Sequence, residues 1–477
     1  MTVRAARIAA ACVILLVVAS VAGKVLYSQH GFLTHDSGHY LRVAGSLRSG
    51  QGPYTFDPCV AGSRAYFAVW PLGYPGATAL TAWATGTSPF VASKILNLAL
   101  LLATAGLLAC LFKDRVLWSL PLFFIGSYTD IAAYSWSENL FITATVLFAL
   151  GAVRHIRAPA VNALLLVLSG AVLCFLSRYV GIFVIAPIAI VAAVYARQGR
   201  VRDAAAAAGA AAGTLIIAGA YLAVNWHRTG FLTGEARPGA REPADVLLGN
   251  AWQALADEAR LFSLPVAGLE SPAGWGSLAV LGILMAAFVR SQKSLESRVL
   301  VLTGSFWFLL MVVLRFTLKF DPLSFRLLGP GTILIVAGLL FECPSRFAPR
   351  ARKVSEVVLA VGCLSLALAQ VYVYARPRPS SANAVMASLV ADYRRVPPGS
   401  IVVDAEAAAL PLRPDVAFQT PRADDTAERL LARLSACRDN GIFLRRRADR
   451  RDGSVEAPAL SQALTWAEDP PGFVRLK

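Results

Sequence analysis

The run Thr34-His35-Asp36-Ser37-Gly38-His39-Tyr40 holds the side chains of this sequence best suited to chemistry. Asp36 is a carboxylate placed soon after a long apolar stretch. There it can take a proton from a hydroxyl group or contribute to a divalent-cation site. It can also do no more than cap a helix, with Ser37, because a short side-chain oxygen satisfies free backbone N–H groups at a helix start. Tyr40, Ala44 and Leu47 recur at helical spacing and predict a helix whose apolar face lies on a membrane surface. His35, His39 and His227 offer imidazoles, but their spacing matches no metal-ligand pattern. Seven cysteines are scattered without CxxC spacing, so no zinc or dithiol motif is present.

The elements that must hold these residues are membrane helices. Of the 477 residues 56% are hydrophobic and only 16% charged, more apolar surface than a soluble chain of this size can hide. A formal net charge of +16 could point to nucleic acid, but many of the basic residues sit in short loops between apolar runs. Taking about 20 apolar residues per crossing, we expect about eleven spans, near 7–27, 89–112, 115–132, 137–154, 160–177, 179–196, 204–225, 274–290, 299–318, 326–342 and 354–375. The first run is long enough to span and lacks a small-residue cleavage site, so it is expected to be a helix and not a signal peptide.

Six basic clusters then fall on one side: Arg4/Arg7, Lys113/Arg115, Arg154/Arg157, Arg197/Arg200/Arg202, Arg290/Lys293/Arg298 and Arg346/Arg350/Arg352/Lys353. By the positive-inside rule that side is cytoplasmic, which puts the N-terminus inside and the C-terminus outside. Most of the non-membrane mass is then outside, in loops 28–89 and 226–273 and in the tail from 376. Two outer connections are very short, near Tyr134 to Ser137 and near Ser177 to Val180. In the tail, 382–395 and 426–437 read as helices, while 400–404 (SIVVD) and 441–445 (GIFLR) read as strands. The expected architecture is an all-α polytopic membrane domain, 1–375, with a small C-terminal extracytoplasmic α/β domain, 376–477. The tail has no Gly-rich phosphate loop, and no internal repeat is visible in the chain.

Asp36 and Tyr40 are followed by Gly50-Gln51-Gly52-Pro53-Tyr54, by Trp70-Pro71-Leu72-Gly73-Tyr74-Pro75 and by a span containing Asn97. Ser137-Glu138-Asn139-Leu140-Phe141 opens the fourth span, Ser177-Arg178-Tyr179-Val180-Gly181 joins the fifth and sixth, and Phe325-Arg326-Leu327-Leu328-Gly329-Pro330 comes late. In this order the segments resemble the GT-C class of membrane glycosyltransferases. That class includes protein O-mannosyltransferases, aminoarabinose transferases and mycobacterial arabinofuranosyltransferases. Its members show an early acid in the first outer loop, an aromatic four residues on, a G-x-G-x-Y-like turn, a P-P-x-Y-P-like segment and a late R-Y-L-L-P-like segment. The resemblance covers roughly residues 1–345. Many members carry two adjacent acids where this chain has Asp36-Ser37.

The resemblance implies an inverting hexosyl- or pentosyltransferase that uses a polyprenyl-phosphate sugar on the outer face of the plasma (inner) membrane. The acceptor would be a glycan, lipid or protein of the cell envelope. Asp36 is then expected as general base, and Glu138 as a second catalytic acid that pairs with an arginine, binds a metal or positions the acceptor. Arg178 and Arg326 lie at outer helix ends, at the depth of a lipid phosphate, and are expected to bind it through their guanidinium forks; either can instead be an arginine snorkelling to the interface. His39, Tyr40, Tyr74 and Asp130 are expected to line the substrate site. A divalent cation (Mg, Mn or Ca) is a further expectation, with Asp36 and Glu138 as its ligands. Trp252, Trp275 and Trp307 are read as interface anchors or packing residues, and Cys59 and Cys437 as a candidate disulfide between loop and tail. Two other classes stay open: a transporter or flippase of a lipid-linked sugar, and a non-catalytic envelope-assembly protein.

The topology yields a direct test. A single cysteine introduced at Ser380 should be labelled by an impermeant thiol reagent applied from outside, and one at Ser294 should not. The opposite pattern would invert the chain.

Overall fold

The computed structural model describes residues 2–27, 31–57, 64–235, 239, 242–259, 282, 285, 294–318, 320, 323–374, 393–403, 415–419, 442–445, 466–468 and 473–476. It is mostly helical. Eight helices among the described residues are long and apolar enough to cross a membrane. The chain is a multi-pass membrane protein.

The first helix, α1 (Val3–Leu26), is capped by Thr2, whose hydroxyl accepts from the Ala5 N–H. Helix α2 (His35–Arg48) follows, then a two-stranded hairpin of β1 (Tyr54–Phe56) and β2 (Arg64–Tyr66). Helix α3 (Gly73–Thr85) stops at Gly86, whose φ of 69° is left-handed. Ser88 caps α4 (Pro89–Phe112), where Pro89 at the start gives up no needed hydrogen bond. A 3₁₀ segment (Lys113–Phe124) and α5 (Gly126–Ala133) lead to α6 (Glu138–Arg157) and α7 (Val161–Ser177). A second 3₁₀ segment (Tyr179–Val184) opens α8 (Ile185–Arg197), followed by α9 (Val201–Thr229) and α10 (Ala244–Ala259). The later helices are α11 (Leu295–Thr317), α12 (Phe325–Glu342) and α13 (Pro349–Tyr374).

The expected span 115–132 is not one α-helix. Lys113 takes a positive φ of 54°, Arg115 leaves helical geometry, and Pro121 lies inside the segment. Proline supplies no N–H and crowds the preceding turn, so the stretch winds as 3₁₀ and restarts as the short α5. Its apolar side chains, among them Leu117, Phe123 and Phe124, are still buried, against α1, α4 and α12. Apart from 282, 285 and 393–395, the expected span 274–290 and the tail helices 382–395 and 426–437 lie outside the described residues, as do Trp275, Cys59 and Cys437.

Helix α2 also departs from expectation. Tyr40 and Ala44 are fully buried, and so are Leu41 and Val43, because α3 and α4 pack against the helix. Protein, not lipid, covers its apolar face. The cap is Thr34, whose hydroxyl accepts from the Ser37 N–H at 3.4 Å, so Asp36 is not needed for capping.

Tight helix pairs surround the centre. At the α6–α7 contact, a Cβ added at Gly170 would lie 2.6 Å from the Phe148 backbone nitrogen, and one at Gly151 would lie 2.7 Å from that of Val167. Gly304, Gly331 and Gly338 do the same between α11 and α12. Small residues of this kind let membrane helices approach closely where no water drives them together. Helix α10 reaches the same bundle, and its buried Glu258 accepts from the Thr332 hydroxyl of α12 at 2.5 Å. At the C-terminal end five strands form a mixed sheet: β3 (Ile401–Val403), β4 (Ala417–Gln419), β5 (Ile442–Arg445), β6 (Trp466–Glu468) and β7 (Phe473–Leu476), in the order β4-β3-β5-β7-β6. β3 and β5 match the strands expected from SIVVD and GIFLR. The guanidinium of Arg42 on α2 donates to the Val416 carbonyl beside β4.

The glycine contacts predict opposite outcomes for one kind of change. Gly170→Val should destabilise the detergent-solubilised protein by about 1–3 kcal/mol, the usual cost of overpacking. Gly106→Ala on α4, where nothing lies within 4 Å, should stabilise it by roughly 0.5–1 kcal/mol. Thermal unfolding of both variants checks the pair.

Candidate functional site

The site is built where four segments end. Helix α2 presents Asp36 in its first turn, α6 begins with Glu138, α7 ends at Arg178, and α12 presents Arg326 in its first turn. The ends of α7 and α8 meet closely because residue 181 is glycine: a Cβ there would fall 2.0 Å from the Cys174 carbonyl oxygen. This sharp turn aims Arg178 at the start of α6.

The four side chains form a chain of alternating charge. Arg326 pairs with Asp36, and its Nε donates to Glu138 Oε1 at 2.5 Å. Arg178 donates to the same Glu138 oxygen. The Glu138 side chain is 0% exposed, whereas Asp36 and Arg178 are each 17% exposed and Arg326 is 13% exposed. Glu138 is thus the sealed centre, while the other three reach the surface of the site. Its place at the start of α6 adds the favourable field of a helix N-terminus. The Arg326 guanidinium lies over the Trp136 ring, 4.6 Å from its centroid. Trp136 donates from Nε1 to the Thr34 hydroxyl at 2.7 Å and stacks on Tyr134 at 4.0 Å. One tryptophan therefore carries the arginine and locks the cap of the helix that carries Asp36.

The turn before α6 is held from below. Asn97 donates to the carbonyls of Ala132 and Tyr134, and Asn139 to those of Ile131, Tyr134 and Trp136. The Tyr74 phenol donates to Asn97 Oδ1 at 2.9 Å. The Tyr40 hydroxyl meets Ser137 Oγ at 3.0 Å, and Ser137 Oγ lies 3.4 Å from Glu138 Oε2. Burial, then the Asp36 and Glu138 carboxylates, push the Tyr40 phenol well above its usual range, so it is a neutral hydrogen-bonding group. Tyr40 and Tyr74 are fully buried and sit behind the charges as supports, edge to face with rings 5.5 Å apart. His39 is only partly buried and lies one helical turn after Asp36.

Asp130 is placed apart from this chain, paired with Lys24 of α1. Lys24 lies 5.1 Å over the Phe32 ring, Phe32 meets Tyr134 edge-on, and the Tyr134 N–H donates to the Asp130 carbonyl, so the second pair adjoins the first through Tyr134, which stacks on Trp136. His227 is exposed at the end of α9. Trp307 packs internally and donates to the Leu327 carbonyl, and Trp252 is 75% exposed on α10. Among the described residues no three His, Cys, Asp or Glu side chains gather as a metal site. Asp36 and Glu138 do come together, but the guanidinium of Arg326 stands where a shared divalent ion would have to sit. In this arrangement the two carboxylates do not fit a metal. Trp136 and Lys24 are structural partners that the motifs did not single out. Their signal is positional: an aromatic two residues before Glu138 and a cation in the last turn of the first span.

No family model matches the chain, and no curated protein sequence does. The fold has counterparts among solved structures, and it is the fold of the GT-C membrane glycosyltransferases. ArnT from Cupriavidus metallidurans, bound to undecaprenyl phosphate, superposes with a TM-score of 0.60 over 97% of each chain, at 11% identity. Arabinofuranosyltransferase AftD from Mycobacteria gives 0.52 at 15% identity, over 98% of this chain and 37% of that one. The Archaeoglobus fulgidus oligosaccharyltransferase in complex with Zn and sulfate gives 0.51 at 12% identity, over 91% and 67%.

The charge chain makes Glu138 the residue whose loss is felt furthest. Glu138→Gln leaves two guanidinium groups without their shared partner, and breaking a buried ion pair costs about 3–5 kcal/mol. We expect a clearly lowered melting temperature in detergent. An unchanged melting temperature would show that the arginines are held by something else.

Proposed function

We propose that the protein is an inverting glycosyltransferase that moves a sugar from a polyprenyl-phosphate donor to a cell-envelope acceptor at the outer face of the plasma membrane. The observation that carries this reading is the pairing of Asp36 with Arg326, with Glu138 and Arg178 completing the chain of charge. The GT-C fold, and the undecaprenyl phosphate bound to the ArnT neighbour, support it.

In this proposal the donor phosphate docks on Arg178 and Arg326, the two cations at the rim. Asp36 accepts the proton of the acceptor hydroxyl, whose oxygen attacks the anomeric carbon from the face opposite the phosphate. The carbon–oxygen bond to the phosphate breaks, and the departing polyprenyl phosphate carries its negative charge onto the guanidinium groups. Glu138, sealed from solvent, is assigned the task of positioning both arginines. The residue ranges 1–375 and 376–477 are proposed as membrane and outer domains. A transporter would concentrate its charged groups near the membrane midplane. Here the cluster stands at helix ends, Glu138 first in α6 and Arg178 just after α7, which favours surface chemistry.

The test is transfer by purified protein in nanodiscs, supplied with a panel of polyprenyl-phosphate sugars and envelope extract as acceptor. Asp36→Asn keeps the side-chain size but cannot take the proton, and should fold normally with a loss of roughly 10²-fold or more in rate. Arg178→Ala and Arg326→Ala should weaken donor use, with Lys restoring part of it through charge without the bidentate fork. Near wild-type turnover in Asp36→Asn would remove Asp36 as the base. Normal turnover in both alanine variants would reduce the arginines to structural ions.

A further inference from the structure

The loop after the β1–β2 hairpin brings Phe67 and Trp70 against His39 on α2. His39 lies 5.5 Å from Trp70 and stacks on Phe67 at 6.4 Å, and Phe67 lies 6.0 Å from Trp70. Trp70 also meets Tyr40 edge-on at 5.7 Å, so the cluster adjoins the ring that touches Ser137 beside Glu138. Phe67 is buried, but His39 and Trp70 keep part of their surface open.

Simple core packing does not account for how firmly this loop is held. The Tyr179 hydroxyl donates to the Ala68 carbonyl at 2.6 Å, and Asn225 donates to the same hydroxyl. The Leu72 N–H donates to the Tyr221 hydroxyl at 3.0 Å, and the Phe67 N–H to the Pro53 carbonyl at 2.9 Å. Gly234 adds a close backbone approach, since a Cβ there would lie 2.4 Å from the Ala68 carbonyl carbon. Tyr179 directly follows Arg178, so the loop is pinned to the same corner that positions a site arginine.

We propose that His39 and Trp70, backed by Phe67, form a rigid aromatic platform for the acceptor, and that the acceptor is therefore a carbohydrate. The inference rests on the glycosyltransferase reading above. A sugar ring has an apolar C–H face that lies flat on an aromatic face, and a fixed ring loses little freedom on binding it. Asp36 pairs on one side with Arg326, and one turn along the same helix lies the platform. A sugar resting on Trp70 would lie against the helix that carries Asp36, where one of its hydroxyls can meet the carboxylate. A bare peptide acceptor would use neither ring face so fully.

The experiment is saturation-transfer NMR on protein in nanodiscs with pentose and hexose methyl glycosides, alongside binding of undecaprenyl phosphate. Wild type should transfer saturation to the C–H protons of at least one glycoside. Trp70→Ala should weaken that glycoside roughly 2- to 10-fold, the scale of one aromatic contact, and leave undecaprenyl phosphate unaffected. Trp70→Phe should retain most of the binding, which separates loss of a ring from loss of fold. Equal glycoside binding in Trp70→Ala, or a defect confined to undecaprenyl phosphate, would overturn the platform. Lipid binding with no glycoside signal would sink the platform and leave the transferase reading standing. Undecaprenyl phosphate binding that does not depend on Arg178 and Arg326, with an intact glycoside signal, would overturn the donor-site reading and with it the acceptor role, leaving only a sugar-binding surface.

Discussion

A carboxylate sealed inside a membrane protein is tolerable only if its charge is matched, and Glu138 is matched twice, by Arg178 and Arg326. That requirement organises this end of the bundle. Two guanidinium groups must converge on one point, so α7 must stop and turn sharply, and the first turn of α12 must come alongside the first turn of α6. The tight turn at Gly181 meets the first demand, and the small-residue contacts of α12 with α11 allow the second. Asp36 is drawn in through the remaining side of Arg326. Charge neutrality within the four residues is complete, and the only exposed members are those proposed to meet ligands.

Much of the neutral scaffold works to keep this arrangement rigid. The short turn before α6 is pinned by amide side chains from α4 and α6, and Trp136 ties Arg326 to the Thr34 cap. A charge-assisted bond is directional, and its partners must be held to a few tenths of an ångström for its geometry to persist. The buried Tyr74–Asn97 and Tyr40–Ser137 bonds fill that role from behind. Phosphate recognition and base positioning would then use a structure already in place before a ligand arrives.

The membrane character, the strands β3 and β5 and the four charged residues at helix ends were legible because composition, periodicity and position along a span carry them. The pairing among those charges was not. Nothing in the neighbourhood of Glu138 says that Arg326, far along the chain, will share its oxygen with Arg178, since that depends on which helices pack together. Asp130 illustrates the same limit: nothing near it in the sequence says that Lys24 of α1 is the cation it pairs with. Amphipathic spacing showed that α2 has an apolar face but not whether lipid or protein covers it. Pro121 was visible all along, but an apolar run long enough to span masked its effect on helix geometry.

The spacing of the charged residues bears on how the chain is made. Arg178 lies 40 residues beyond Glu138, and Arg326 lies 188 beyond it. Chains emerge from the ribosome N-terminus first, so Glu138 gains its first counter-ion within one further helix and waits through about half of the remaining synthesis for the second. Asp36 waits longer still for Arg326. A truncated or stalled chain that ends before α12 would hold one ion pair and an unmatched aspartate. The site thus closes only when α12 begins, with α13 still to be made, and a chain that stops earlier leaves charges of the site unmatched.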